Sequence, residues 1–327
     1  MNTQASIGVV VVNWNGWGNT LKTYESLAAC DHSNWTLLIV DNASSDGSAL
    51  MVRKHLPSAL LIESATNVGF AGGCNLGISR IIELDLDYVF LLNNDVTVSA
   101  DSLSRLVSAS AALGDSAILG SVVRYWPSGQ LQYFGSRRSE RSGRPHWYTE
   151  AADAELLKFA LISTDFVFGA ALFAPTKLFR KIGFFDERFF LNFEETDWCY
   201  RAAAEGIPRY VVTSSVVQHQ GGASLGDTHA PLQTYFLYRN RLLFYDKHGS
   251  FHHRMRGYLE VVRELAYRFR RSVGASSQFL SGMDPSVRAL MLAVRDYVLR
   301  RFGDCPPEVR ELAARRGNAS EAEPVDS

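Results

Sequence analysis

The sequence is short of cysteine, of net charge and of long apolar runs, and each shortage argues against something. Its 327 residues include four cysteines, Cys30, Cys74, Cys199 and Cys305, widely spaced and without a CxxC pair. Free thiols in a reducing compartment fit that pattern better than a disulfide framework or a zinc site. The opening MNTQASIGVVVVNWNG has no basic leader, and its apolar run is one strand long. No stretch approaches the roughly 20 apolar residues of a membrane span. The expectation is a cytoplasmic chain. A formal net charge of −1 argues against a nucleic-acid partner. No internal repeat is present.

What is there can bury a substantial core: 46% of the residues are hydrophobic and 20% charged, enough for one large domain or two. Charge is unevenly spread, about −6 over residues 1–234, about +8 over 235–301 and about −3 over the tail.

Four apolar runs, IGVVVVN (7–13), TLLIVDN (36–42), ALLIES (59–64) and YVFLLNND (88–95), read as buried strands. Between them GNTLKTYESLAAC, SDGSALMVRKHL and AGGCNLGISRIIEL place apolar residues at helical spacing. The alternation predicts an α/β fold with a parallel sheet and helices on its faces. Polar, glycine-rich sequence follows the first three strands, at the edge where open α/β sheets bind ligands. Further along, Ser99 is a candidate N-cap for a helix over 99–113. AILGSVVRYW and QLQYFG suggest a hairpin, and residues 136–150 a basic mobile loop. FVFGAALFA (166–174) reads as a strand, with Pro175 in the first turn of a short helix. FEETDWCYRAAAEG is expected to be a helix ending at Gly206, and RYVVTSSVVQH a strand ending at His219. Residues 231–302 read as largely helical and basic, and RRGNASEAEPVDS as a flexible tail.

Several stretches carry chemistry. In VDNASSDGS (40–48), Asp46 is most simply an N-cap, whereas Asp41 ends a buried strand and could accept from a base imide or a ribose hydroxyl. NVGFAGGCNLGI (67–78) puts Gly69, Gly72 and Gly73 before a helix, where backbone can approach a ligand and the helix N-terminus favours phosphate; a tight turn explains the same glycines. In LLNNDV (91–96), Asp95 could ligate a hard divalent ion that also holds substrate phosphates. Asn93 and Asn94 could touch a nucleotide without adding charge, and an Asn-Asp turn is the alternative. His219 is a structural residue taken alone and a candidate second ligand beside Asp95. Finally, FLNFEETDWCYR (190–201) packs Glu194, Glu195 and Asp197 into four positions between Phe193 and Trp198. Crowded, partly buried carboxylates have raised pKa values. Asp197 and Arg201, four apart, would brace the helix. A glutamate in the first turn beside a cleft can serve as general base; ordinary N-terminal acid enrichment is the plain alternative.

In order, VVVVNWNG, IVDNASSDGS, NVGFAGGCNLGI, YVFLLNNDV, GAALFAPTKLFRKIGFFDERFFLNFEETDWCYRAAAEG and QHQGGAS resemble the motifs of family 2 glycosyltransferases, particularly bacterial rhamnosyltransferase-like members. The likeness spans roughly residues 6–245. It implies a GT-A nucleotide-diphospho-sugar transferase fold, Rossmann-like, with a mainly parallel central sheet, flanking helices and a C-terminal helical region. On that reading residues 1–230 form the catalytic domain, with a nucleotide-binding half over 1–115 and an acceptor and catalytic half over 116–230. Residues 231–303 form a basic helical extension and 304–327 a flexible tail. Carried over, the resemblance implies that Val11, Asn13, Asp41 and Asn42 line the nucleotide pocket. Asn67, Gly69, Gly72, Gly73 and Asn75, with Asn93 and Asn94, would face the nucleotide or its phosphates. NND stands at the family's DxD position, so Asp95 would bind Mg2+ or Mn2+ on the diphosphate, with His219 as a further ligand; Asn93 departs from the acidic first position. FEET stands at the family's paired-acid motif, which makes Glu195 the catalytic base, Glu194 its orienting neighbour and alternative, and Asp197 a brace. The implied reaction is a single in-line displacement that inverts the anomeric centre.

The implied donor is a nucleotide-diphospho-sugar, dTDP-rhamnose first and UDP-hexoses as rivals. The acceptor would be a glycan or a polyprenyl-diphosphate-linked sugar in bacterial cell-surface polysaccharide assembly. A non-catalytic sugar-nucleotide-binding protein and a nucleotidyltransferase are competing readings; a nicotinamide-dependent reductase lacks its dinucleotide loop after the first strand. In RMRGYLEVVRELAYRFRRSV, apolar residues at 255, 258, 259, 262, 265, 266 and 269 share one helix face. That face would pack on the protein and leave a basic side to solvent, or the helix would meet anionic lipid on the inner face of the plasma membrane.

Overall fold

The computed structural model describes residues 4–138, 145–220, 230–273 and 283–320. These form two compact units. One holds 4–138, 145–187 and 194–220, the other Arg188–Phe193, 230–273 and 283–320.

The first unit runs β1 (Ile7–Asn13), α1 (Trp17–Ala28), β2 (Trp35–Asp41), α2 (Ser48–His55), β3 (Leu60–Glu63), α3 (Gly69–Glu83), β4 (Tyr88–Asn93), β5 (Val96–Val98) and α4 (Ser102–Ala112). It continues with β6 (Ile118–Tyr125), β7 (Leu131–Tyr133), β8 (Ser136–Arg138), β9 (Pro145–Trp147), α5 (Glu150–Asp153), β10 (Leu161–Ser163), β11 (Ala171–Pro175), α6 (Thr176–Ile182), α7 (Glu194–Ala204) and β12 (Arg209–His219). The main sheet is ordered β10-β12-β6-β11-β4-β1-β2-β3, with β5 on β12 and β7 on β6. Strands β3, β2, β1 and β4 are parallel, as the alternating pattern predicts, and β12 is parallel to β6. Strand β11 runs antiparallel to both β4 and β6, so the sheet is mixed.

Strand β1 sits between β2 and β4 with helices against it, which is why Val9, Val10 and Val11 are all buried. Helix α3 lies close on it through glycines. A Cβ on Gly77 would come 2.4 Å from Val10 Cγ1, and one on Gly73 2.7 Å from Val12 Cγ1. Gly72 is also inside the helix, where a Cβ would meet Val68 at 2.9 Å. Gly73, one of the glycines expected near a ligand, and Gly77 thus seat the helix on the strand, where no methyl is tolerated at such distances.

Other expectations shift by a few residues. Helix α4 begins at Ser102 with Asp101 as its cap, not at Ser99, whose carbonyl instead accepts from Ser102. Asp46 precedes the cap residue Gly47 and accepts the Ser48 N–H at 2.9 Å. Pro175 closes β11 and caps α6 rather than entering its first turn. The expected loop over 136–150 contains the β8–β9 pair, while 139–144 lie outside the described residues.

The second unit is helical: α8 (Ala230–His248), α9 (Phe251–Val273), α10 (Pro285–Val298) and α11 (Pro307–Ser320). Its core gathers Tyr235, Phe236, Leu242, Val261, Leu290, Val309 and Leu312. Helix α11 is where a flexible tail was expected from 304; Val309, Leu312 and Ala313, three and four apart, seat one face in that core. Residues 321–327 lie outside the described residues.

Two fully buried polar side chains of α8 organise the segment Arg188–Phe193. Asn240 Nδ2 donates to the carbonyls of Phe189, Leu191 and Asn192 at 2.7, 2.7 and 2.9 Å. Arg239 donates to Phe189 O at 3.2 Å and to Gly303 O at 2.6 Å. They hold a backbone in which Phe190, Asn192 and Phe193 have φ of 63°, 69° and 77°, conformations that cost non-glycine residues free energy. Glu194 follows directly in the chain.

Candidate active site

The polar ends of β1, β2 and β4 meet at one edge of the sheet. Asn13 and Asp41 are in register. Asn13 Nδ2 donates to Asp41 Oδ1 at 3.0 Å, and Asp41 Oδ2 accepts the Ser44 N–H at 3.0 Å. Each carboxylate oxygen keeps a lone pair beyond the one used. Val11, two residues earlier, is sealed in the core at 1% exposure. Asn42 and Asn67 fasten the start of α3: their side chains accept the N–H groups of Val68 and Gly69, both at 2.9 Å. Asn75 is buried and pairs with Phe185 in both directions, Nδ2 to O and N–H to Oδ1, each at 3.0 Å. Asn94 stands against Gly16, where a Cβ would come 2.5 Å from its amide nitrogen.

Asp95, just past β4, and His219, at the end of β12, come together. His219 Nε2 lies 3.2 Å from Asp95 Oδ1, and Asn93 Nδ2 is 3.4 Å from the same ring nitrogen. His219 Nδ1 is 2.9 Å from Gln132 Oε1. The Gln132 contact on Nδ1 leaves Nε2 facing the carboxylate, a placement from which both atoms could ligate one divalent cation. Among the described residues no group of three or more His, Cys, Asp or Glu side chains gathers to hold a metal.

The acids at the start of α7 are buried: Glu194 is 4% and Glu195 9% exposed. Helix α7 is anchored by Trp198, stacked on Phe179 at 4.3 Å and donating Nε1–H to Gly183 O at 2.8 Å. Asp197 accepts from Arg201 Nε at 2.9 Å, and Arg201 also donates to the Ile182 and Phe184 carbonyls; Asp197 belongs to that brace. Burial pushes Glu195 up to about 7, against hydrogen bonds from its own backbone and those of Thr196 and Gly169. Glu194 is raised well above the usual carboxylate range by burial and then by the charge of Glu195. Among the described residues its buried Oε2 has no hydrogen-bond partner.

Gly169 ties these groups together. A Cβ there would sit 3.4 Å from Glu195 Cδ, and the next residue, Ala170, accepts the Asn93 N–H at 3.2 Å. The residues that lead into antiparallel β11 therefore set Glu195 of α7 beside the β4 end that holds Asn93 and Asp95. Cys74 of α3 lies on the same side: burial raises its thiol, and the charges of Glu194 and Glu195 raise it further. The sequence did not point to Gln132, Gly169 or Phe168, whose ring meets His219 edge-on at 6.0 Å. A lone glutamine on a short strand gives no local signal; pairing of β7 with β6 brings it to the histidine.

The described residues thus carry, on one mixed sheet, polar strand ends, a buried acid pair and an Asp–His pair. The model for glycosyl transferase family 2 matches residues 8–174, about half of the chain, and the chain belongs to that family. It is 25% identical over 238 residues to the N-acetylglucosaminyl-diphospho-decaprenol L-rhamnosyltransferase of Mycobacterium tuberculosis, covering 67% of this chain and 77% of that protein. It is 24% identical over 249 residues to the low-salt glycan biosynthesis hexosyltransferase Agl10 of Haloferax volcanii, covering 72% and 74%. The mannosyltransferase PcManGT of Pyrobaculum calidifontis, solved with GDP-Man and Mn2+, superposes with TM-score 0.56 at 15% identity, covering 99% of this chain and 77% of that one. GalNAc-T7, solved with UDP, GalNAc and Mn2+, gives TM-score 0.57 at 12% identity over 76% of this chain, which spans 55% of that chain's length. The fold is accordingly GT-A-like, a mostly parallel central sheet with flanking helices and a C-terminal helical region.

Proposed function

We propose that this family 2 chain is an inverting glycosyltransferase that moves L-rhamnose from dTDP-rhamnose to a hydroxyl of a polyprenyl-diphosphate-linked acceptor, in assembly of a bacterial cell-surface polysaccharide. The observation that carries it is Glu195: buried at the start of α7, pushed to about 7, and joined through Gly169 and Ala170 to the strand end bearing Asp95. A carboxylate balanced near neutrality suits a general base. The similarity to the mycobacterial rhamnosyltransferase supports the sugar and the lipid-linked acceptor.

Asp41 and Asn13 would bind the base and ribose of the donor. Asp95 Oδ1 and His219 Nε2 would hold Mg2+ or Mn2+ through one carboxylate oxygen and one imidazole nitrogen. Diphosphate oxygens and water would complete the shell, as is usual for these ions. Oδ1 and Nε2 face each other at a distance that suits a shared cation, and the Gln132 contact orients the ring so that Nε2 faces the carboxylate. When bound, the metal supplies charge that stabilises the departing nucleoside diphosphate. Glu195 takes the proton from the acceptor hydroxyl as its oxygen attacks the anomeric carbon from the face opposite the diphosphate. Burial and the charge of Glu195 both raise Glu194 and so favour its neutral form beside an ionised Glu195. No covalent enzyme intermediate is needed.

Calorimetric binding of dTDP, UDP and GDP, each with and without Mn2+, to wild type and Asp95→Ala tests this reading. Metal-dependent binding of dTDP that is lost in the variant is expected. Preference for UDP would favour a hexosyl donor. Binding of no diphosphate would defeat the proposal.

A further inference from the structure

Helix α9 is rotated from what its apolar pattern predicts: Tyr258 and Leu265 of the expected face pack on the core, while Met255, Leu259 and Val262 do not. The residues that set its rotation are Gly257, Tyr258, Val261 and Arg268. A Cβ on Gly257 would come 2.3 Å from Tyr245 Cδ2, so α9 rests on α8 at that point. Tyr258 donates its hydroxyl to Asp246 Oδ1 at 2.5 Å, while Tyr297 and Arg300 donate to Asp246 Oδ2 at 2.8 and 2.7 Å. Burial acts to raise Asp246, but these donors more than offset it and hold the carboxyl below its ordinary value. Val261 is 2% exposed in the core, and the Arg268 guanidinium lies 5.6 Å over the Tyr238 ring.

Because that side faces in, a stripe of the expected buried face points out. Phe251, Met255, Leu259 and Val262 are 65%, 42%, 52% and 60% exposed. Spaced four, four and three apart, they form one continuous line on the helix. Arg256, Arg263 and Arg270, seven apart and all exposed, lie along one flank of that line, and Tyr267 beyond them is 56% exposed. Large apolar side chains contiguous over more than three turns are uncommon on a surface with nothing to cover them.

We infer that this face of α9 is a docking surface for an anionic membrane, the apolar stripe entering the headgroup region and the arginine line meeting lipid phosphates. An apolar band bordered by arginines is the pattern of interfacial helices. A hydrophobic protein partner would have use for the stripe but not for three arginines at one angular position beside it. Among the described residues no helix is long and apolar enough to cross a membrane, so attachment through this face would be reversible. The choice of occupant rests on the lipid-linked acceptor proposed above. An enzyme whose acceptor is confined to a bilayer gains local acceptor concentration by lying on that bilayer.

The test is co-sedimentation of the full chain with vesicles of phosphatidylcholine alone and of phosphatidylcholine with phosphatidylglycerol, without nucleotide or metal, on wild type, Leu259→Glu/Val262→Glu and Arg256→Ser/Arg263→Ser. Both pairs lie on the exposed side, and circular dichroism checks their folding. Expected are binding of wild type to the anionic vesicles only, weakening with salt, and a loss of about ten-fold or more in each double variant. Metal-dependent dTDP binding should be unchanged in both. Equal binding to neutral vesicles, no vesicle binding by wild type, or binding unaffected by both pairs would overturn the inference. So would a concentration-dependent dimer broken by Leu259→Glu/Val262→Glu, which would assign the face to a second copy. None of these results bears on nucleotide binding, whose failure would instead count against the transferase reading.

Discussion

Asp95 Oδ1 and His219 Nε2 lie 3.2 Å apart, with side chains only 5% and 9% exposed. The residues come from the loop after β4 and from the end of β12, and the ring is held from behind by Gln132. This nearly buried carboxylate and imidazole are the two ligands proposed above for a hard cation. Replacing His219 by Ala is expected to weaken Mn2+-dependent dTDP binding by about ten-fold or more, and Gln132→Ala by less, because outer partners orient rather than ligate. Isothermal calorimetry with and without EDTA measures both. Retention of full metal-dependent affinity in His219→Ala would remove it from the ligand set.

Removing the base should cost rate more than binding. Glu195→Gln keeps the shape and loses proton acceptance, so kcat should fall by roughly 10²–10⁴ with little change in donor KM. In wild type kcat should rise with pH through a limb near 7, as Glu195 loses its proton. That limb should vanish from the residual activity of Glu195→Gln. A Glu194→Gln variant with the larger loss would exchange the roles of the two acids.

The same pair makes stability fall with pH. Both carboxyls have folded-state pKa values above the ordinary 4.5, so the folded chain holds more protons than the unfolded one as pH rises past that value. Their stabilising protonated form is complete below 4.5 and is lost as pH rises through the folded values, reaching about 7 for Glu195. The loss is on the order of 3 kcal/mol for a shift of this size. Thermal melts of Glu194→Gln should match wild type near pH 5 and exceed it near pH 8. Equal melting temperatures at both pH values would show that Glu194 is not held protonated.

Gly77 tests the seam between α3 and β1. Its added methyl would come 2.4 Å from Val10 Cγ1, so Gly77→Ala should destabilise by roughly 1–3 kcal/mol despite the better helix propensity of alanine. Val10→Ala introduced beside it should recover part of that loss, as a double-mutant cycle in denaturant would reveal. Additive effects would mean that the seam relaxes without cost.

Trp198 links packing to chemistry. It is fully buried, stacked on Phe179 and bonded to Gly183, and stands one turn after Glu194. Trp198→Phe should cost about 1–2 kcal/mol in stability, with the lost Nε1–H bond included. It should also lower kcat while leaving metal-dependent dTDP binding intact. A fall in nucleotide affinity equal to the fall in kcat would place the damage in the fold at large.

The sequence by itself determined the parallel strands β1 to β4, the helices between them and the positions of Asp41, Asp95, the acid pair and His219. Those follow from local chemistry: apolar runs of strand length, helical spacing, and polar residues where a buried strand must end. Only the tertiary structure decided that β11 runs antiparallel to β4 and carries Gly169 to Glu195. It also decided that Gln132 holds a histidine 87 residues away, that Gly73 and Gly77 seat α3 on β1, and that α9 turns Leu259 and Val262 outward. Periodicity states which residues share a face, but it does not state which neighbour that face meets. On α9 Gly257 and the Tyr258–Asp246 bond outweigh the larger apolar stripe, because close backbone approach and a part-buried carboxylate bond are met in only one rotation of the helix.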